Sequence, residues 1–237
     1  MLTGLLSPDI ECVELFDDPP NVELYPEEAA PVARAAEKRQ RKFATVRLCA
    51  RTALARLGVA PMPILPGENR APVWPDGIVG SMTHCDGYRA AATAYSTTVA
   101  AIGVDAEPHD PLPDGGVAEA VLSPGERDTV MRLAERRADI AWDRLIFSAK
   151  ESVYKAWFPL TGRWLDFTEC VIVPDPVRGT FTGTLLAPGP VVAGKCIRQF
   201  TGCWGTRGGT GQGHVATAVL VDPVVHGPDG IRFLVGA

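Results

Sequence analysis

The six cysteines (Cys12, Cys49, Cys85, Cys170, Cys196 and Cys203) form no C-x-x-C pair and no zinc-type spacing, which argues against a structural zinc site or a redox dithiol. No apolar run approaches the ~20 residues that span a bilayer, and Met1-Leu2-Thr3-Gly4 lacks the basic start and apolar stretch of a signal peptide. These absences predict free thiols in a reducing cytoplasm and no membrane partner. Among His84, His109, His214 and His226 there is no H-E-x-x-H, and a G-x-S-x-G elbow is missing. His84 and Cys85 are neighbours on a predicted strand and face opposite sides, so they form no hydrolytic dyad. The glycine-rich stretch 205–213 lacks both the phosphate-loop and dinucleotide patterns, and reads as a flexible hairpin loop. Positive charge is not in excess either. The net charge of −5 argues against nucleic-acid binding through general electrostatics, though not against a local basic cluster for a small anion.

What is present is ordinary for a globular chain: 237 residues, 46% apolar and 22% charged, enough for one large domain or two small ones. Residues 12–16 suggest a short strand. A helix is expected from Glu27 to about Gln40, followed by a second with Phe43, Val46, Cys49, Ala50, Ala53, Leu54 and Leu57 at helical spacing. Pro61, Pro63, Pro66, Pro72 and Pro75 make 59–75 an irregular connector with a turn at Asn69-Arg70-Ala71-Pro72. Beyond a strand near 79–84, residues 88–95 and 99–107 read as a hairpin. Three prolines and two glycines mark 108–116 as a linker. Ser123-Pro124-Gly125-Glu126 opens a helix to about Arg137 with a capping box. A helix from about Asp139 to Trp157 follows, and then strands near 169–173, 180–186, 195–200, 203–206 and 215–221. The expected units are 1–107, 108–222 and a tail, 223–237.

Two segments carry chemistry. In Ile102-Gly103-Val104-Asp105-Ala106-Glu107 the two carboxylates share one face of a strand end. Alone, such a pair is more often a solvated edge, but like charges so close invite a hard divalent cation such as Mg²⁺. The second segment is the helix at 139–157. Trp142, Leu145, Ile146, Ala149, Val153 and Ala156 form its apolar stripe. Glu151 and Lys155 fall opposite, yet Phe147, Tyr154 and Phe158 flank them. Three aromatics rarely face open water, so this face belongs in a cleft. The alternative is an ordinary i,i+4 pair.

Four motifs taken together resemble the Sfp-type 4'-phosphopantetheinyl transferases: Asn69-Arg70-Ala71-Pro72-Val73-Trp74-Pro75, Gly80-Ser81-Met82-Thr83-His84-Cys85, Gly103-Val104-Asp105-Ala106-Glu107, and Phe147-Ser148-Ala149-Lys150-Glu151 through Lys155-Ala156. The phrasing of 43–54, 74–84 and 154–164 is similar to actinobacterial members that serve polyketide and siderophore synthases.

The resemblance implies an α+β fold of two similar α/β halves related by a pseudo-twofold, with the active site at their interface. It implies coenzyme A as donor, Mg²⁺ as cofactor, and a serine of an acyl or peptidyl carrier protein of a polyketide, fatty-acid or nonribosomal peptide synthase as acceptor. Asp105, Glu107 and Glu151 would hold the metal, and Lys150 and Lys155 would meet the pyrophosphate. Thr83 and His84 would sit at the coenzyme, His84 on its 3′-phosphate, with Arg39 and Arg47 completing the basic side. Relatives can carry a lysine near Pro66 that this chain lacks, and Arg70 would compensate. Glu151 would be the catalytic base and Lys155 would stabilise the leaving 3′,5′-adenosine bisphosphate. A non-catalytic coenzyme A- or carrier-binding module is the alternative of another class, and a metal phosphohydrolase a third.

Overall fold

The computed structural model describes residues 1–113 and 115–223, so the tail 224–237 lies outside the described residues. The chain forms β1 (Glu11–Leu15), α1 (Pro26–Ala29), α2 (Glu37–Arg56), β2 (Ile78–Cys85), β3 (Tyr88–Tyr95), β4 (Ala101–Pro108), α3 (Val117–Val121), α4 (Pro124–Arg136) and α5 (Trp142–Thr161). There follow β5 (Cys170–Asp175), β6 (Thr180–Leu185), β7 (Val191–Val192), β8 (Lys195–Cys196), β9 (Gln199–Arg207) and β10 (His214–Val221). One antiparallel sheet has the order β1-β3-β2, and a larger one β4-β10-β9-β6-β5. Each carries one long helix, α2 on the first and α5 on the second, both of 20 residues. The chain is thus two similar helix-on-sheet halves.

Period-2 alternation divides the core. Ala90, Ala92 and Ala94 of β3 pack with Ile102, Val104 and Ala106 of β4 and Ala216 and Ala218 of β10, between the sheets. Ala91 points the other way, toward Cys49, Ala50 and Leu54 of α2. The stripe read on α5 is buried throughout and forms the largest core with Phe181, Trp204 and Val219.

Three expectations need correction. Residues 88–95 and 99–107 are not a hairpin: β3 pairs with β2 and β1, while β4 pairs with β10 over eight residues. The sheet boundary therefore falls between β3 and β4, not after residue 107; short sequence separation suggested a pairing that the apolar faces did not permit. The helix expected from Glu27 is broken into α1, a 3₁₀ turn at Ala30–Val32 and the start of α2. Pro31 cannot donate to a continuing ladder, and the Gln40 amide caps the exposed carbonyl of Ala35 at 2.8 Å. Finally, 195–200 and 203–206 resolve into the two-residue β8 and one continuous β9.

The glycine-rich loop is tied down. His109, buried, lies with Nδ1 3.3 Å from the Gly208 carbonyl and accepts at Nε2 from the Ala141 N–H at 3.2 Å. Its backbone bonds Gly213 and Gly211 at 2.8 and 2.9 Å. His109 is a structural pin.

Candidate functional site

Residues 101, 103, 105 and 107 share the face of β4 that meets α5. Their approach is set by Gly103: a methyl group there would lie 1.9 Å from the carbonyl oxygen of Ser152 and 2.8 Å from the nitrogen of Ala156. With no side chain between them, the α5 backbone rests directly on β4. On α5, Ser148 and Ser152 bond the Thr217 hydroxyl of β10 at 3.0 and 2.6 Å, fixing rotation about the helix axis. Glu151 and Lys155 are thereby turned toward Asp105 and Glu107.

β2 lies alongside β4, and side-chain hydroxyls link the two strands. Ser81 Oγ accepts from the Val104 N–H, and Thr83 Oγ1 from the Ala106 N–H, both at 3.1 Å. Thr83 also donates to Asp105 Oδ1 at 3.1 Å. Its hydroxyl is thus committed to positioning Asp105, which corrects the expectation of a direct coenzyme contact. Next along β2, His84 opens to solvent while Cys85 is buried, as strand alternation requires.

Lys155 Nζ sits 2.6 Å from Asp105 Oδ1 and 3.1 Å from the Val104 carbonyl. The other oxygen, Asp105 Oδ2, is buried and has no hydrogen-bond partner among the described residues. Burial raises the pKa of Glu107, and Asp105 and Glu151 push it further up, against the pull of Arg144 and Lys155. Burial also raises the pKa of Glu151, with Asp105 adding to it and Lys155 opposing. Among the described residues no three His, Cys, Asp or Glu side chains form a preformed metal cage. The site is nevertheless short of positive charge: three mutually repelling carboxylates, and one buried oxygen with nothing to bind. That is the donor chemistry a hard divalent cation satisfies.

The opposite wall is basic. A cavity of about 240 Å³ is lined by Arg47, Arg70, Trp74, His84, Glu151 and Lys155, among others. Arg47 is buried, stacked 3.8 Å over Phe43, and bonded to the Ile64 carbonyl at 3.3 Å; burial lowers its pKa to about 10. Arg70 is exposed at the lip. Asn69 and Arg70 both take left-handed backbone, at φ 49° and 63°, an uncommon state for residues with side chains. The loop is drawn over the cleft by Trp74, whose ring lies on Gly80; a methyl group there would approach the ring to 2.7 Å. At His84 the surrounding protein, then Lys155, Lys42 and Arg89, hold the imidazole below its ordinary pKa. A second cavity, about 510 Å³, shares Asn69, Arg70, Glu151 and Tyr154, and continues between Trp164, Leu165 and Phe167. The cleft placement of Glu151 and Lys155 read from their aromatic neighbours is what the structure shows.

One expected residue does not join, and a second, Lys150, lines the larger cavity with its ammonium already fully bonded within the protein. Arg39 is exposed in the first turn of α2 and lines neither cavity. Lys150 is buried, and its ammonium donates to the Val121 carbonyl, Glu126 Oε2 and the Phe167 carbonyl at 2.8, 2.8 and 2.7 Å. All three of its protons are used, so the expected pyrophosphate contact is corrected: Lys150 is a structural cation. One residue was missed. Arg144 lies 3.3 Å from Glu107 Oε2, and its position seven residues before Glu151, on the same helical face, was a readable signal.

Basic side chains facing Glu151 across a cleft between two helix-on-sheet halves make a site suited to a phosphate-bearing ligand. The comparisons make this particular. Residues 27–94 match the 4'-phosphopantetheinyl transferase N-terminal domain, and 101–196 match the 4'-phosphopantetheinyl transferase superfamily. The chain is 57% identical over 205 residues to 4'-phosphopantetheinyl transferase Svp of Streptomyces mobaraensis, covering 86% of this chain and 81% of that protein. It is 43% identical over 225 residues to 4'-phosphopantetheinyl transferase PptT of Mycobacterium tuberculosis, covering 93% and 96%. To Enterobactin synthase component D of Salmonella typhi it is 34% identical over 128 residues, 52% of this chain and 50% of that protein. The chain belongs to the 4'-phosphopantetheinyl transferase superfamily, and it is an enzyme that transfers the phosphopantetheine arm of coenzyme A to carrier proteins. No helix among the described residues is long and apolar enough to cross a membrane.

Proposed function

We propose that the cleft binds coenzyme A with Mg²⁺ and modifies a serine of the acyl or peptidyl carrier domains of polyketide, fatty-acid or nonribosomal peptide synthases. The relatives named for enterobactin synthesis favour siderophore-type synthases among these. One observation carries the reading: the unpartnered Asp105 Oδ2 is buried beside Lys155, which with Glu151 lines a cleft whose other wall holds Arg47, Arg70 and His84. Asp105, Glu107 and Glu151 would hold the ion. When bound, it supplies neutralising charge to the pyrophosphate oxygens.

Arg47 and Arg70 then meet phosphate charge on the coenzyme, with His84 on the 3′-phosphate. The larger cavity, with Trp164, Leu165, Phe167 and Tyr154 as walls, takes the pantetheine arm. Glu151 accepts the serine proton as the serine oxygen bonds to the β-phosphorus. The bond from the β-phosphorus to the bridging oxygen breaks, and 3′,5′-adenosine bisphosphate leaves with the electron pair. Lys155 turns from Asp105 to the departing phosphate. The test is incubation with coenzyme A, Mg²⁺ and an apo carrier, read by intact mass. Addition of one phosphopantetheine in wild type, and its loss in Glu151→Ala, is expected. Wild-type rates in Glu151→Ala would remove this carboxylate from the chemistry.

A further inference from the structure

The reaction outlined above makes no use of Arg144, yet Arg144 spends all three guanidinium nitrogens within one small neighbourhood. Nη1 lies 3.3 Å from Glu107 Oε2, Nε 2.9 Å from the Asp110 carbonyl and Nη2 2.9 Å from the Pro111 carbonyl. The preceding residue, Asp143, accepts from the Leu112 N–H at 2.8 Å. β4 ends at Pro108, so these bonds fasten the chain just past the acid pair to the first turn of α5. On that helix Arg144, Ser148, Glu151 and Lys155 stand at i, i+4, i+7 and i+11, along one face.

The two carboxylates of β4 are held differently. Asp105 lies within the strand, with Thr83 and Lys155 on one oxygen. Glu107 has a longer side chain near the strand end, and Arg144 is its one hydrogen-bonding partner among the described residues. The contact is to a single oxygen, which leaves Oε1 for another ligand. We propose that Arg144 is a positioning residue for the metal site. Through Oε2 it fixes the Glu107 side chain, and through two carbonyls it fixes the linker that would otherwise let that side chain swing away from Glu151. Its positive charge opposes a nearby cation, but an unfixed ligand costs more: partners that orient metal ligands contribute about ten- to hundredfold in affinity. Lysine cannot replace it, because one ammonium does not reproduce a rigid fork toward three acceptors.

The inference rests on the metal reading proposed above, and the experiment separates the two. Mn²⁺ binding to the full chain with coenzyme A, without carrier, is followed by the free-ion EPR signal, alongside the Mg²⁺ dependence of carrier modification. Arg144→Ala is expected to weaken Mn²⁺ binding and raise half-saturating Mg²⁺ at least about tenfold, with kcat at saturating Mg²⁺ near wild type. Arg144→Lys should recover little of this. A merely structural role would instead lower kcat at every Mg²⁺ concentration. If Arg144→Ala does not stay folded, Arg144→Gln, which keeps an amide donor, serves in its place. Wild-type or tighter Mn²⁺ binding in the Arg144 variant, beside lost binding in Asp105→Asn, overturns the proposal and leaves the metal reading standing. Wild-type binding in Asp105→Asn as well overturns both.

Discussion

Two lysines five residues apart on α5 make opposite use of the same kind of partner. Around Lys150 every polar group is matched. Its ammonium has three acceptors, and Glu126 in turn accepts from the Ser123 and Ile172 N–H groups at 2.8 Å each. Around Lys155 the matching stops one atom short: Asp105 Oδ1 is paired, and Asp105 Oδ2 is buried with no partner. A closed network of this kind holds α3, α4, α5 and β5 together. An open one stores a binding site, because leaving a buried carboxylate oxygen unmade costs free energy that only a ligand returns. What distinguishes a structural ion pair from a functional one here is the completeness of its hydrogen bonds, not its burial.

Three measurements would break or sharpen that contrast. The largest effect is expected at the open site: Asp105→Asn should cost on the order of 10²–10³ in turnover, with a melting temperature within a few degrees of wild type. A variant that unfolds but turns over normally per folded molecule would invert the comparison. At the closed site, Lys150→Met should cost about 3–5 kcal/mol of stability, because it strands Glu126 as an unpaired buried charge. Urea unfolding reads this, and the remaining folded protein should still modify its carrier. Lys150→Met with Glu126→Leu should regain much of the loss; a double variant as unstable as the single would show that the charge pair itself, not its isolation, matters.

The smallest effect lies at His84. Its lowered pKa means that the unliganded fold binds fewer protons there than the unfolded chain does between the two pKa values, so this contribution to stability is lost as pH falls. Phosphate at the imidazole reverses the sign for binding: 3′,5′-adenosine bisphosphate should bind a few-fold tighter as pH falls from 8 toward 6.5. His84→Gln should flatten that slope, as read by calorimetric titration; an unchanged slope would take His84 off the phosphate.

Much of the site could be read from residue order because it depends on short-range periodicity. Alternation put Asp105 and Glu107 on one face, and helical spacing put Glu151 and Lys155 beside Tyr154 and Phe158. The failures share a cause. Lys150 and Arg144 are assigned by partners at Glu126, Phe167 and Glu107, and no local pattern reports contacts made across the fold. Thr83 was expected at the coenzyme through the resemblance of the 80–85 motif, which does not report that its hydroxyl bonds Asp105. The strand at 101–108 pairs with β10 and not with its chain neighbour β3, because adjacency in the chain is a weak guide to pairing.

Gly103 sets a limit on how this enzyme can vary. The separation between its two acid-bearing elements is fixed by main chain touching main chain, not by the size of any side chain between them. A single added carbon at that crossing would move Glu151 and both lysine-bearing turns together.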